Sequence, residues 1–232
     1  MGVEKILILC DFDGTASTVD VGNELLDRFT GDGWKDIDRD YCDGKIGSRI
    51  AYTRIAPLFR GNRAQILAYV FEKSTLDPFF ADFYTYCRRM GMDLKIISDG
   101  LDFYIEAILK KNGLSEIEFF SNYIIFQDHE RLSIEFPQAS PDCGKCGNCK
   151  SRIVEQYRPL YDRIIYIGDS YSDVCPSKNA DLVFAKKILY EKCSDNGTPC
   201  IYYNNFYDIQ QCLEDQIAKI RFIHAVLPKP VC

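Results

Sequence analysis

The sequence predicts an α/β protein with a Rossmann-like core of three layers, a parallel sheet between helices, carrying a small inserted helical cap and a β-hairpin. Three observations predict it. Short apolar runs ending in a carboxylate or hydroxyl are separated by stretches of helical periodicity. One long stretch near the amino terminus has helical pattern but no buried-strand signal. Two alternating segments lie close together in the middle of the chain.

The apolar runs are Ile6-Leu7-Ile8-Leu9-Cys10 before Asp11, Leu94-Lys95-Ile96-Ile97 before Ser98, and Ile164-Ile165-Tyr166-Ile167-Gly168 before Asp169. Runs of this length, rich in Ile, read as strands buried on both faces and therefore parallel. Ligands of open α/β sheets bind at the carboxyl edge of the strands, so Asp11, Ser98 and Asp169 are expected on one rim. Helical pattern fills the intervals: Phe79 to Met90 ending at Gly91, Leu101 to Lys111 ending at Asn112-Gly113, and Arg152 to Tyr157 stopped by Pro159. Asn122 to Gln127 and Arg131 to Phe136 alternate on either side of Asp128-His129-Glu130, which predicts the hairpin, and Pro137 to Gly147 reads as a loop. From about Asp20 to Lys73 come three or four short amphipathic helices, with breaks near Gly31 to Gly33, Gly44 and Pro57 to Gly61. The expected division is a core of residues 1–18 and 74–232 and a cap of residues 19–73.

The bulk numbers agree with a core plus a small insert: 232 residues, of which 47% are hydrophobic and 27% charged, suffice for a sizeable buried core. A net charge of -6 disfavours non-specific binding to nucleic acid or anionic membrane, since both need a surplus of Lys and Arg. The apolar stretch Ile6 to Cys10 is too short for a signal-peptide core or a membrane span. Eleven cysteines, an odd number without an export signal, read as mostly reduced thiols in a cytoplasmic protein. The expected partner is a small molecule, bound by a monomer or homodimer.

The chemistry concentrates in two turns. Asp11-Phe12-Asp13-Gly14-Thr15 puts two carboxylates two residues apart directly after a buried strand, one for nucleophilic attack and one for proton transfer. Gly168-Asp169-Ser170-Tyr171-Ser172-Asp173 supplies a second pair after another strand. Four carboxylates on one rim resist ionising together, so a divalent cation is needed, and oxygen ligands beside a phosphate favour Mg2+. Either motif alone also reads as an acidic turn capping the next helix.

Taken together, the pentapeptide at Asp11 to Thr15, Ser98, a downstream Lys150 and the pair Asp169 and Asp173 resemble the haloacid dehalogenase superfamily, in order and over nearly the whole chain. The resemblance implies a core of that superfamily's type with a C1-type cap, and a magnesium-dependent phosphomonoesterase acting through an aspartyl phosphate. Asp11 would be the nucleophile and Asp13 the acid and base. Thr15, Ser98, Asp99, Gly100 and Lys150, with backbone amides near Gly14 and Gly100, would bind phosphate. Asp11, Asp13 (through its carbonyl), Asp169 and Asp173 would hold the metal, Asp173 as a ligand or from behind one. Lys145 is an alternative to Lys150, and Thr15 has its own backbone as an alternative partner. Asp13 argues against a dehalogenase, whose relatives lack this second Asp.

Cys143-Gly144-Lys145-Cys146-Gly147-Asn148-Cys149-Lys150 narrows the subfamily. Three thiols at spacing three are an incomplete metal site that would need His129 or Cys175, or else they are reduced thiols of a loop, or a redox or metal sensor. The run resembles the methionine-salvage phosphatases that act on 2-hydroxy-3-keto-5-methylthiopentenyl-1-phosphate. Ser98-Asp99-Gly100 and Asp173-Val174-Cys175-Pro176 resemble phosphoethanolamine/phosphocholine phosphatases. Phosphoserine phosphatases share the helical cap and would use Asp20 and Arg54 on the substrate; Asp20 reads equally as an N-cap and Arg54 as a solvated side chain.

Overall fold

The computed structural model describes residues 4–127 and 131–215. Seven strands form one sheet: β1 (Ile6–Cys10), β2 (Asp93–Leu101), β3 (Phe119–Phe126), β4 (Leu132–Glu135), β5 (Arg163–Gly168), β6 (Leu182–Ala185) and β7 (Ile201–Tyr202). Their spatial order is β4-β3-β2-β1-β5-β6-β7. All neighbours are parallel except β3 and β4, the expected hairpin, which pair antiparallel from Tyr123 opposite Glu135 to Phe126 opposite Leu132. The Asp128-His129-Glu130 turn, and with it His129 as a metal ligand, lies outside the described residues, as does the tail from His224.

Alternation along the central strands explains the three layers. Leu7 and Leu9 of β1 face one side with Ile164, Tyr166 and Val183, covered by Ile153 and Val154 of α7 (Lys150–Tyr157) and Leu189 of α9 (Lys187–Asn196). Ile8 and Cys10 face the other with Ile96, Ile165 and Ile167, covered by Phe80 and Phe83 of α5 (Phe80–Arg89) and Ile105 and Ile108 of α6 (Asp102–Lys111). Both faces are dry, which is why the strands show continuous apolar runs rather than alternation. The Ile-rich run at 94–97 understates its strand: β2 continues through Ser98, Asp99 and Gly100 to Leu101, with a register irregularity against β3 between Ile97 and Leu101. The polar residues stay in the sheet because Asn122 of β3 bonds them, its Nδ2 donating to the Asp99 carbonyl at 2.6 Å.

Between β1 and α5 lie four α-helices: α1 (Val21–Phe29), α2 (Trp34–Cys42), α3 (Ser48–Ile55) and α4 (Arg63–Lys73). Their breaks fall at Gly31–Gly33, Gly44 and Ala56–Gly61, where the glycines and proline place them. Asp20 caps α1, accepting the Asn23 N–H at 2.8 Å, and Asn62 with Gln65 forms a reciprocal capping box on α4. The chain enters and leaves this insert through a narrow neck: Ser17 bridges Leu76, the Thr18 N–H donates to Thr75 O at 2.8 Å and Asp77 N–H to Ala16 O at 2.9 Å. Among the described residues no helix is long and apolar enough to cross a membrane.

Candidate active site

The carboxyl ends of β1, β2 and β5 bring Asp11, Ser98 and Asp169 to one rim, at the floor of a cavity of about 250 Å³ roofed by α1, α2 and α3. The turn after β1 is tight because Gly14 sits at φ +72°. A Cβ there would lie 2.3 Å from Asp169 Oδ2 and 2.9 Å from Lys187 Nζ. Glycine therefore provides both the left-handed backbone and the space in which the first acidic turn meets the second.

Lys150 organises the floor. It is the first residue of α7 and only 2% exposed, and its Nζ lies 2.8 Å from Asp11 Oδ1, 2.7 Å from Asp173 Oδ1 and 2.9 Å from Ser172 Oγ. Burial works against its charge, but Asp11 and Asp173 hold it well above the ordinary lysine value. Lys145, the alternative, is exposed on the loop. Asp11 Oδ1 also accepts the Phe12 N–H at 2.8 Å, so both of these contacts fall on one oxygen. Burial and the neighbouring Asp173 raise the Asp11 carboxyl well above its usual range, with Lys150 opposing them.

Asp173 has its oxygens engaged on both sides. Oδ1 accepts from Lys150 and from Tyr166 Oη at 2.6 Å, and Oδ2 from the N–H groups of Asp169 and Ser170 at 3.0 Å each. Burial pushes this carboxyl up, but the Lys150 charge and these bonds more than offset it and leave it below the ordinary value. Asp173 thus stands behind Asp169 and shapes its turn. Asp169 accepts Thr15 Oγ1 at 3.2 Å and Lys187 Nζ at 2.8 Å; burial, then the Asp173 charge, raises its carboxyl. Asp11, Asp169 and Asp173 each present an oxygen within 4.8 Å of the others, a buried set of hard donors that suits a divalent cation.

Asp13 points toward the roof. Its Oδ1 accepts the Val21 N–H at 2.9 Å, Tyr104 Oη donates to Oδ2, and Ser98 Oγ lies 3.5 Å from Oδ2. Burial and the Asp20 charge raise its carboxyl to about 7, a value suited to giving and taking a proton near neutral pH.

Several groups expected to bind phosphate have protein partners. The Asp99 carboxylate accepts Asn148 N–H at 2.9 Å and Asn122 Nδ2 at 3.1 Å. The N–H of Gly100 goes to Ser98 Oγ at 2.9 Å and that of Gly14 to Val19 O at 3.1 Å. Thr15 Oγ1 donates to Asp169 Oδ1 at 3.2 Å. Asp20 caps α1 and also lines the cavity, whereas Arg54 is exposed on α3 and is not among the lining residues. Cys143, Cys146, Cys149 and Cys175 line a neighbouring groove, but among the described residues their sulfurs do not converge into a metal-holding group. The loop that carries Cys143, Cys146 and Cys149 is a strut: the Gly147 N–H donates to Ser48 Oγ at 2.9 Å, and Asn148 Nδ2 donates to Ser98 O at 2.7 Å and Phe120 O at 2.8 Å. Asn148, Tyr104, Tyr166 and Lys187 were not singled out by sequence. Only Asn148 carried a signal, its place beside Lys150.

Comparison with known proteins agrees with this geometry. The family model described as Putative Phosphatase matches residues 6–195. A 2-hydroxy-3-keto-5-methylthiopentenyl-1-phosphate phosphatase of Brevibacillus brevis is 30% identical over 214 residues, covering 91% of this chain and 96% of that protein. The protein of the same name from Bacillus velezensis is 27% identical, covering 90% of each. A solved phospho-aspartyl intermediate analogue of phosphoserine phosphatase has the same fold, with TM-score 0.70 at 22% identity over 90% of this chain and 99% of that one. With 190 of its 232 residues matched, this chain belongs to the Putative Phosphatase family and is a phosphatase.

Proposed function

We propose that this phosphatase is a Mg2+-dependent phosphomonoesterase working through an aspartyl phosphate on Asp11, with 2-hydroxy-3-keto-5-methylthiopentenyl-1-phosphate as its leading substrate. The observation that carries the mechanism is the fixing of Asp11 Oδ1 by Lys150 and the Phe12 N–H at the cavity floor, with Asp13 beside it. Asp11 and Asp169, with the backbone carbonyl of Asp13, would hold the cation, whose charge offsets that of the transferring phosphoryl group. Asp11 attacks phosphorus, and Asp13 protonates the leaving oxygen and then takes a proton from the attacking water. Ser98 and Lys150 remain the side chains proposed to hold phosphoryl oxygens. The neck supports residues 19–73 as a cap moving over a core of residues 1–18 and 74–232.

The walls of the cavity bear on the substrate. Leu26, Ala51, Ile55 and Ile188 present an apolar wall, and among the described residues no Arg, Lys or His lines the cavity above its floor. The lysines at the floor are engaged with carboxylates, Lys150 with Asp11 and Asp173 and Lys187 with Asp169, and exposed Arg54 lies outside the lining, an arrangement that disfavours the carboxylate of phosphoserine. An uncharged apolar tail fits, as do the names of the Brevibacillus and Bacillus relatives. A second reading, an amino-alcohol phosphate such as phosphoethanolamine or phosphocholine, is favoured by Asp20, Asp38 and the rings of Tyr41, Tyr52 and Tyr171, which line the same cavity. Thiols such as Cys10, Cys42, Cys87 and Cys193, free among the described residues, fit a cytoplasmic setting, where the protein would act as a monomer or homodimer.

Phosphate release with Mg2+ is the test, over a panel of the enol phosphate, phosphoethanolamine, phosphocholine and phosphoserine, with Asp11→Asn as blank. The enol phosphate standing well above the rest supports the leading reading, and phosphocholine or phosphoethanolamine in that place supports the second. Preferred hydrolysis of phosphoserine contradicts both.

A further inference from the structure

Tyr104 lies in the first turn of α6, fully buried, yet its hydroxyl enters the active-site cavity. A buried phenol needs a polar partner, and its partner is Asp13 Oδ2. The other oxygen of Asp13 is held by the Val21 N–H, so the carboxyl plane is fixed from two sides, by α6 of the core and by α1 of the insert. Gly100 makes the first contact possible. A Cβ at position 100 would lie 1.8 Å from Tyr104 Oη and 2.6 Å from Asp13 Oδ2, so the absent side chain is the notch through which the hydroxyl reaches the carboxylate. The Tyr104 ring is set 6.1 Å from that of Phe12, the residue between the two aspartates.

We propose that Tyr104 is the positioning residue for proton delivery, its hydroxyl holding Asp13 in the orientation that serves the leaving oxygen. This rests on the reading of Asp13 as acid and base. In the first step the Asp11–phosphorus bond forms, the ester P–O bond breaks, and the Asp13 proton passes to the leaving oxygen. In the second, water oxygen bonds phosphorus, the Asp11–phosphorus bond breaks, and the water proton returns to Asp13. Tyr104 keeps its own proton throughout. Val21 can release Oδ1 if the insert swings, while Tyr104 remains on the core and keeps the carboxyl aligned.

The test compares kcat/KM, which reports steps through phosphoenzyme formation, for an alkyl phosphate and for p-nitrophenyl phosphate, whose phenolate leaves with little need of a proton. General acid catalysis supplies about 10²–10⁴-fold, so misplacing the acid in Tyr104→Phe is expected to cost the alkyl ester roughly tenfold or more beyond the loss on the aryl ester. Gly100→Ala, whose methyl would lie 1.8 Å from the Tyr104 hydroxyl, 2.8 Å from its ring carbon Cζ and 2.6 Å from Asp13 Oδ2, closes the notch and is expected to change the ratio in the same direction, and serves if Tyr104→Phe does not fold. Equal losses on both esters, or no loss on either, overturn the role of Tyr104 while leaving the phosphatase reading standing. If Asp13→Asn does not itself favour the aryl ester, the acid–base reading of Asp13 fails first.

Discussion

Replacing Lys150 by Met keeps most of its aliphatic stem and removes the ammonium that joins Asp11, Asp173 and Ser172. Two buried carboxylates would then lack their shared cation. Removing one partner of such a buried pair costs about 3–5 kcal/mol, and Lys150→Met is expected to fall there in urea unfolding at pH 7.5 with a chelator present. The pH dependence has a definite sign. Lys150 is raised in the folded state, so its contribution is complete below the unfolded lysine value and lost only in alkali. Asp173 is lowered, so its contribution is complete above the unfolded carboxyl value and lost only in acid. Between pH 5.5 and 7.5 both are constant in the wild type. Without Lys150, Asp173 loses the charge that holds it low and shifts upward, so the native variant takes up a proton there that the wild type does not. The stability gap should therefore narrow as pH falls, by about 1.4 kcal/mol per pH unit for each additional proton held. A loss under about 1 kcal/mol, the size of a surface pair, would refute the account of the floor, as would a gap that widens toward pH 5.5.

Three further outcomes follow from particular contacts. Gly14→Ala should lose roughly 1–3 kcal/mol to left-handed strain and displace Asp169 or Lys187, so calorimetric Mg2+ binding should weaken together with activity. Asn148→Ala strips one side-chain donor pair from Ser98 O and Phe120 O and should cost about 1–3 kcal/mol for each carbonyl left unsatisfied, read by urea midpoint, with a fall in kcat as β2 loosens at Ser98. Arg54→Ala, at an exposed position off the cavity, should change stability by no more than about 0.5 kcal/mol and leave the substrate ranking unaltered; a selective loss on phosphoserine would restore its substrate role.

The central sheet was legible because burial on both faces leaves uninterrupted apolar runs, and the insert because Gly31 to Gly33, Gly44 and Pro57 to Gly61 punctuate its helices. β6 and β7 gave little signal: four and two residues are too few for periodicity to distinguish a strand from a buried loop. The convergence of Asp11, Ser98 and Asp169 could be read because strand ends put them on one rim. The hydrogen-bond partners of Thr15, Asp99 and the amides of Gly14 and Gly100 could not, since they lie on groups that periodicity and motif order do not identify. Tyr104 shows the same limit. On α6 it reads as one more apolar core position, and only the notch at Gly100, four residues earlier, reveals that its hydroxyl emerges in the site.

The most direct measurement is whether a phosphoryl group is found on Asp11 during turnover. Acid quenching of the Mg2+-loaded enzyme with labelled substrate, followed by peptide mapping, should give a hydroxylamine-labile label on the peptide containing Asp11, absent in Asp11→Asn. An Asp11→Asn variant that turns substrate over at the wild-type rate, or a label that maps to another residue, would contradict the assignment of Asp11 as nucleophile.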